Sequence, residues 1–391
     1  MANILKFPEG FLWGSATSAY QVEGGIENCD WSKVYPAAKA CDHYNRYEED
    51  FDLLKSLNQS TYRFSIEWSR IEPKPGHFDT KELEHYWKVL YSLKYRDIKS
   101  MVSLFHWTLP SWLVKIGGWT NKKTIFYFSR FAERVFEEYE DLVNFWLTFN
   151  EPTFYARESY FLGRRPPQKK SPILFLKVIK NQIVAHKKVY EIVQKKKRDI
   201  YIKVGVVSNL SFFEPYNKKS PLDKLSVALY KYFWNEYFLN KIRNHLDFIG
   251  LNYYFHDRII FPGIRRNENK IVNDLGWEIY PKGIYHVLKE LKKYNLPIYI
   301  TENGLADAKD ILRKNFIRDH LFWVWKAIQE RVDVKGYFHW SLMDNFEWEK
   351  GFEPRFGLVE IDYKTLERKP RPSAFYYAEI CKSNQLITNN K

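Results

Sequence analysis

Cysteine is scarce in this chain of 391 residues, which contains only Cys29, Cys41 and Cys381. An odd number of cysteines without close pairs argues against a disulfide framework and against a zinc site. The opening stretch, MANILKFPEGFLWG, lacks the basic and then apolar pattern of a secretion signal. From these absences we expect a cytoplasmic protein that needs no metal or other cofactor.

Long apolar runs are also missing, so we expect no integral membrane segment. Acidic residues are the minority charge, with 47 Asp and Glu against 61 Lys and Arg and a net charge of +14. The densest basic runs, 186–198 and 289–294, have the pattern of solvated helix faces and are not interleaved with the aromatic signature of a nucleic-acid site. We therefore expect no nucleic-acid partner, leave weak association with a membrane surface open, and predict no particular oligomeric state.

Aromatic residues, in contrast, are abundant: the chain has 14 Trp, 28 Tyr and 29 Phe, or 18% of all residues. Flat rings suit a sugar site because a pyranose presents C–H faces that pack against them. Most of these rings are nevertheless explained by an aromatic core.

Short strand-like runs recur along the chain, and a helical stretch follows each of them. The runs begin at Phe11, Thr61, Ser100, Val143, Tyr201, Asp247, Pro297 and Gly336. Amphipathic stretches such as 43–57 and 124–140 lie between them. Strands that alternate with helices pair in parallel, and eight such units predict a single α/β domain over residues 1–391, a closed (β/α)8 or TIM barrel with a short tail after about 380. An open doubly wound sheet is less favoured because no glycine-rich phosphate loop follows the first strand.

Polar and aromatic side chains stand where these strands end. In a (β/α)8 barrel the carboxyl ends of the strands form one face, which carries the active site. The side chains at or just beyond the ends are Gln21, Arg63, His106, Asn150, Glu151, Asn209, Asn252, Tyr254, Glu302, Trp340, Glu347 and Trp348. A complete ring of such groups is difficult to explain as a structural accident.

Two of these side chains, Glu151 and Glu302, end the fourth and seventh strands and should face each other across the barrel mouth. Cleavage of a glycosidic bond requires at least such a pair of facing carboxyl groups. One group must be protonated and the other ionised. We expect Arg63 and the Tyr254 phenol to stabilise the anion of Glu302, which leaves Glu151 as the acid.

The sequence resembles the retaining β-glycosidases of glycoside hydrolase family one from about Phe7 to Ala378. The motifs that carry the resemblance are FPEGFLWGSATSAYQVEG (7–24), YRFSIEWSRIEP (62–73), LFHWTLPSWL (104–113), TFNEP (148–152), DFIGLNYY (247–254), IYITENG (298–304) and WSLMDNFEWEKGFEPRFGLVEID (340–362). The resemblance implies an exo-acting enzyme that cleaves a β-glycoside or oligosaccharide through a covalent glycosyl-enzyme.

The resemblance also implies roles for individual residues. Glu302 would be the nucleophile and Glu151 the acid/base. The expected substrate-binding residues are Asn150 at the sugar 2-hydroxyl, Gln21, His106 and Glu347 at the other hydroxyls, Trp340 below the ring, Trp348 at its outer edge, Trp277 on the leaving-group side, and Asn252 and Asn209 as supporting or rim residues.

Glu347 indicates which class of glycoside the site should accept. Relatives that cleave 6-phosphoglycosides have a serine and a lysine–tyrosine clamp in this region, whereas a carboxylate would repel a phosphate. We therefore expect unphosphorylated glucosides, galactosides or related pyranosides. The chain is short for the family around 25–41 and 241–250, and the region after 164–167 lacks the expected glycine. The loops on the leaving-group side should therefore be trimmed. A catalytically weak sugar-binding barrel and a transglycosidase that uses the same site are the alternatives.

Overall fold

A closed barrel of eight parallel strands forms the centre of the computed structural model, which describes residues 2–389. The strands are β1 (Leu12–Ala16), β2 (Thr61–Ser65), β3 (Lys99–Ser103), β4 (Phe145–Asn150), β5 (Lys203–Asn209), β6 (Phe248–Asn252), β7 (Ile298–Asn303) and β8 (Val334–Trp340). Each strand pairs with the next in this order, and β8 closes the barrel by pairing with β1. The predicted (β/α)8 barrel is therefore confirmed.

The barrel strands are covered on both faces. This explains why nearly all of their residues are buried, whereas a strand with one solvent-facing side would alternate between buried and exposed residues. All residues of β1, β2 and β6 are buried. Inside the barrel, side chains from different strands meet in one apolar layer. This layer contains Met101, Leu147, Val207, Phe248 and Phe338. The barrel centre is thus a packed core, and only its carboxyl end is open for a site.

Amphipathic helices pack around the barrel. They are α1 (Ala19–Val22), α2 (His43–Ser56), α3 (Trp68–Ile71), α4 (Thr80–Tyr95), α5 (Ser111–Lys115), α6 (Lys123–Tyr139), α7 (Pro152–Ala156), α8 (Pro172–Lys196), α9 (Pro221–Tyr230), α10 (Tyr237–Ile242), α11 (Lys282–Leu291), α12 (Arg313–Gln329) and α13 (Pro372–Ser383). In α6, Phe128, Phe131 and Val135 are buried at spacings of three and four residues, as the sequence predicted for 124–140. The helix predicted for 43–57 is α2.

Shorter elements complete the fold. Ala2–Lys6 pairs antiparallel with Gln385–Asn389, Val359–Ile361 pairs with Arg368–Pro370, and a small sheet contains Phe212–Pro215, His256–Ile260 and Ile264–Arg265. Single helical turns lie at Trp31–Lys33, Gly118–Thr120, Arg157–Phe161, Lys231–Glu236, Lys292–Tyr294 and Trp348–Lys350. Within residues 2–389, no helix is both long enough and apolar enough to cross a bilayer.

Candidate active site

A cavity at the carboxyl ends of the barrel strands collects most of the predicted site residues. Its empty volume is about 600 Å³, including the opening to solvent. Predicted residues that line it are His106, Asn150, Glu151, Asn209, Tyr254, Trp277, Glu302, Trp340, Glu347 and Trp348. Three others, Gln21, Arg63 and Asn252, lie behind this lining and are completely buried. They can act on a ligand through the side chains in front of them.

Glu302 lies near the end of β7 and is held from two sides. The Arg63 guanidinium donates a hydrogen bond to Oε1, and the Tyr254 hydroxyl donates to Oε2 at 2.8 Å. Burial raises the pKa of this carboxyl group, and the Arg63 charge is the strongest influence that opposes the rise. Both partners stabilise the anion, as the sequence analysis expected.

Gly304 fixes the turn that follows Glu302. A β-carbon at this position would come within 1.7 Å of the backbone oxygen of Trp340 on the neighbouring strand. Only glycine therefore allows the close approach between the end of β7 and the end of β8. This contact explains the glycine in the sequence TENG and keeps the carboxylate beside Trp340.

Glu151 directly follows β4 and has a left-handed backbone conformation, with φ of 51° and ψ of 54°. Such a conformation costs a non-glycine residue on the order of 1–3 kcal/mol. Its amide donates to the Val207 oxygen at 2.9 Å, and Pro152 begins α7 immediately afterwards. The turn directs the Glu151 side chain into the cavity instead of leaving it on the strand.

Among residues 2–389, the hydrogen-bond partners of the Glu151 carboxyl group are all neutral. Asn252 Nδ2 donates to Oε1 at 2.7 Å and Asn209 Nδ2 at 3.0 Å. Burial and then the neighbouring charge of Glu302 raise the pKa of Glu151 to about 7. The pair thus has the asymmetry that the sequence predicted, because a cation lies beside Glu302 and amides lie beside Glu151.

This environment predicts the basic limb of the pH profile. Glu151 must be protonated to act as an acid, so kcat/KM should fall as the pH rises through about 7. The Asn209 amide favours the Glu151 anion, and Asn209→Ala should therefore shift this limb to higher pH, by up to about one pH unit. The acidic limb, which reports ionisation of Glu302, is the internal control. An unchanged basic limb, or a shift to lower pH, would contradict this account of the pKa.

Asparagine side chains connect the two carboxyl groups to the rest of the mouth. Asn252 accepts a hydrogen bond from Thr301 Oγ1 at 2.8 Å, which orients its amide toward Glu151. Asn150 accepts from Arg63 Nη2 at 2.7 Å and donates to His106 Nε2 at 3.0 Å. Burial, together with the charge of Arg63, lowers the pKa of His106 well below its ordinary value, so the ring is neutral.

Glu347 occupies the other side of the cavity. The amide of Gln21 is fixed by Ser18 Oγ, which donates to it at 2.7 Å, and by Asn345 Oδ1, to which it donates at 2.9 Å. A third, longer contact of 3.5 Å joins Gln21 Nε2 to Glu347 Oε2. Burial raises the pKa of Glu347 to about 8. Sugar hydroxyl groups that donate to its anion would lower this pKa upon binding.

Aromatic rings form the walls of the cavity. Trp340 stacks on His106 with ring centroids 6.2 Å apart. Trp348 packs against Trp107 at 4.7 Å. Trp277 lies 4.9 Å from Phe255. Such rings offer the flat apolar faces that a pyranose needs, with hydrogen-bonding groups at their edges.

Arg165 is a residue of the cavity that the sequence analysis missed. Its Nε donates to Glu349 Oε2 at 2.9 Å, and its guanidinium lies 4.5 Å from the centroid of Trp107 and 5.0 Å from that of Phe154. Its charge also opposes the rise that burial causes in the pKa of Glu347. Its place in the RRPP stretch (164–167), next to a region that departs from the family pattern, was a weak signal.

Within residues 2–389, no group of three or more His, Cys, Asp or Glu side chains is arranged to hold a metal ion. The expectation that catalysis needs no metal or cofactor stays a prediction.

Comparisons with known proteins agree with the geometry. The family model described as glycosyl hydrolase family 1 matches residues 4–244 and 239–386. Beta-glucosidase A of Thermotoga maritima is 34% identical over an alignment of 452 positions that covers 98% of this chain and 99% of the relative. A beta-galactosidase of Pyrococcus woesei is 30% identical, with 97% of each chain covered.

Among solved structures, a beta-glycosidase from Pyrococcus horikoshii superimposes with a TM-score of 0.93 at 38% identity, covering 98% of this chain and 96% of that one. The alignment to the Thermotoga relative is longer than the 391 residues of this chain, so the relative contains segments that this chain lacks. The two stretches of the family match also meet at 239–244, beside the segment that the sequence predicted to be abbreviated.

Proposed function

Because the chain belongs to glycosyl hydrolase family 1 and is a glycoside hydrolase, we propose that it removes terminal sugars from unphosphorylated β-glucosides, β-galactosides or related β-glycosides with net retention. The unequal surroundings of Glu302 and Glu151 are the observation that carries this proposal. One carboxyl group accepts from a buried guanidinium, and the other accepts from side-chain amides. A nucleophile and an acid need this difference.

In the first step, Glu302 attacks the anomeric carbon while Glu151 gives its proton to the departing oxygen. The bond from the sugar to the leaving group breaks, and an ester bond to Glu302 forms. Arg63 and Tyr254 hold the Glu302 oxygens in place, so one oxygen faces the sugar before the reaction begins.

In the second step, Glu151 is an anion and takes a proton from water, which attacks the anomeric carbon from the side that the leaving group vacated. The ester bond breaks and Glu302 regains its negative charge. In the glycosyl-enzyme Glu302 is an uncharged ester, so the repulsion that raises the pKa of Glu151 is absent and this pKa falls. It rises again when Glu302 is released as an anion. The amides of Asn252 and Asn209 support Glu151 in its charged form.

Retention of configuration tests this sequence of steps. We expect the β-anomer as the first sugar released from an aryl β-glucoside, observed by proton NMR before mutarotation. With methanol added, the methyl glycoside should also be β. The fraction of methyl glycoside among the products measures how often methanol, rather than water, accepts the sugar. An α-anomer as the first product would exclude a double displacement.

Glu347 should govern discrimination at the 4- and 6-hydroxyls of the sugar. We expect the wild-type enzyme to prefer a plain glucoside to its 6-phosphate. The 6-hydroxyl donates to the Glu347 anion and favours its ionisation, whereas a phosphate has no such donor and its charge opposes that ionisation. Glu347→Ala should lower kcat/KM for the glucoside by about 10- to 150-fold, the value of one charged hydrogen bond. Glu353→Ala, at an exposed neighbouring carboxylate, is the control. A wild-type preference for the 6-phosphoglucoside would refute the assignment.

A further inference from the structure

An exposed apolar stripe runs along α9 and the helical turn that follows it. Leu222, Leu225, Leu229 and Phe233 are between 50% and 60% exposed. Their spacing of three and four residues places them on one side of the helix. We call these four residues the leucine stripe. Isolated exposed leucines are ordinary, but a continuous row of them indicates a contact surface.

The opposite side of α9 already has its partners. Ser226 and Val227 are buried against the small sheet, where Val227 packs with Phe213 and Ile259. Asp223 accepts hydrogen bonds from the backbone amides of Asn217 and Phe261. The helix is thus fixed in orientation, so the stripe faces outward because of the fold rather than because the helix is loose.

A neighbouring hairpin extends the apolar surface. Phe261 and Ile264 are 47% and 60% exposed. The Tyr230 hydroxyl, at the end of α9, donates to the oxygen of Gly263 at 2.9 Å, which joins the hairpin to the helix. The hairpin and the stripe therefore form one surface rather than two.

Basic side chains border this surface. They are Lys218, Lys219, Lys224, Lys231, Arg265 and Arg266. Lys218, Lys231 and Arg265 also form ion pairs, with Glu214, Glu290 and Asp257, so Lys219, Lys224 and Arg266 are the cations that we expect to contribute most. Lysine next to an exposed leucine row is the pattern of a helix that lies in the plane of a membrane interface, with apolar side chains in the acyl boundary and cations at the headgroups. The overall charge of +14 acts in the same direction.

We propose that the leucine stripe and its basic border form a docking surface for an anionic lipid bilayer. A second copy of the chain is a poorer occupant, because a two-fold contact through this surface would bring the same lysines face to face. An anionic headgroup layer is complementary to them. The surface adjoins the barrel mouth, since Trp234 in the turn after α9 lies 6.1 Å from Phe154, which lines the cavity.

Co-sedimentation of the full chain with vesicles tests the proposal. Binding is measured with vesicles of phosphatidylcholine alone and with vesicles containing 30% phosphatidylglycerol, at low and at high salt. We expect binding to the anionic vesicles, little to the neutral ones, and release at about 0.5 M salt because the headgroup attraction is screened.

Two variants separate the apolar from the charged contribution. Leu225→Gln with Leu229→Gln should lower the vesicle partition coefficient tenfold or more, and Lys219→Gln with Lys224→Gln should lower it about 25-fold. Ile4→Thr with Ile387→Thr is the matched control, because these two residues are also exposed, at 58% and 61%, but lie on the terminal ribbon. Hydrolysis of a soluble aryl glycoside checks that each variant is folded.

Each remaining outcome counts against the proposal. Absence of wild-type binding to anionic vesicles overturns it, as does binding that both leucine substitutions leave unchanged. Equal loss in the ribbon control would mean that general hydrophobicity, not this surface, drives the partition. A dimer in sedimentation equilibrium that dissociates in Leu225→Gln with Leu229→Gln would assign the surface to a second copy instead.

Discussion

Glu302→Gly should abolish hydrolysis of β-glycosides, with a loss in kcat on the order of 10⁶-fold, the scale seen when a covalent nucleophile is removed from an enzyme. Without this carboxylate, no ester to the sugar can form. The substitution also leaves Arg63, which is completely buried, without its carboxylate partner. Steady-state rates with an activated aryl glycoside measure the effect.

A small anion should restore part of this activity. Azide can enter the space left by the side chain, where Arg63 and Tyr254 would hold a negative charge, and attack the anomeric carbon directly. One displacement inverts the configuration, so the product should be the α-glycosyl azide. Glu347→Gly is the matched control, because it opens a similar space in the same cavity but away from Glu302, and azide should not restore it.

The outcome is decisive in both directions. A variant that keeps wild-type hydrolysis would show that Glu302 is not the nucleophile. A β-glycosyl azide from this variant would mean that the anion attacks from the acid/base side, which would also require a different assignment.

Glu151→Ala should show a defect that depends on the leaving group. An alkyl or sugar leaving group must be protonated as it departs, so its release should slow by about 10²- to 10⁴-fold. Dinitrophenolate is already a stable anion and needs no proton, so its release should slow far less. The second step lacks its base with either substrate, so the glycosyl-enzyme should accumulate and give a burst of dinitrophenolate.

Azide should accelerate turnover of this variant as well, but with the opposite stereochemistry. The anion now occupies the position of the Glu151 side chain and attacks the glycosyl-enzyme from the β side, which gives the β-glycosyl azide. The two variants therefore control each other. The fall in kcat/KM above about pH 7 should also disappear, because it reports loss of the Glu151 proton. An equal defect for good and poor leaving groups would limit Glu151 to a binding role.

The sequence could predict the barrel and much of its mouth because both follow from local patterns. Parallel strands bring their carboxyl ends to one face of the barrel. A polar residue at a strand end can therefore be assigned to that face from the sequence alone. Glu302 at the end of β7 and Asn252 at the end of β6 are examples, and they are register partners in the structure.

Other features depend on contacts between distant parts of the chain. Arg165 lies far in sequence from Glu349, its carboxylate partner, and no spacing rule connects them. Gln21 is held in the same way by distant partners, Asn345 and the backbone of Phe346, and its contact with the sugar stays a prediction. The spacing of the leucine stripe is visible in the sequence, but a buried helix face has the same spacing. Only the exposure of these side chains in the structure shows that the stripe faces solvent.

The closure of the barrel between β8 and β1 has a consequence for biosynthesis. During translation, β1 emerges early but cannot pair on one side until β8 has left the ribosome. Until then the nascent chain has two unpaired strand edges, which favour aggregation and the binding of chaperones. Trp340 ends β8 and Glu347 follows it, so both arrive only after the other seven strands. A chain released before β8 has been synthesised would therefore be inactive.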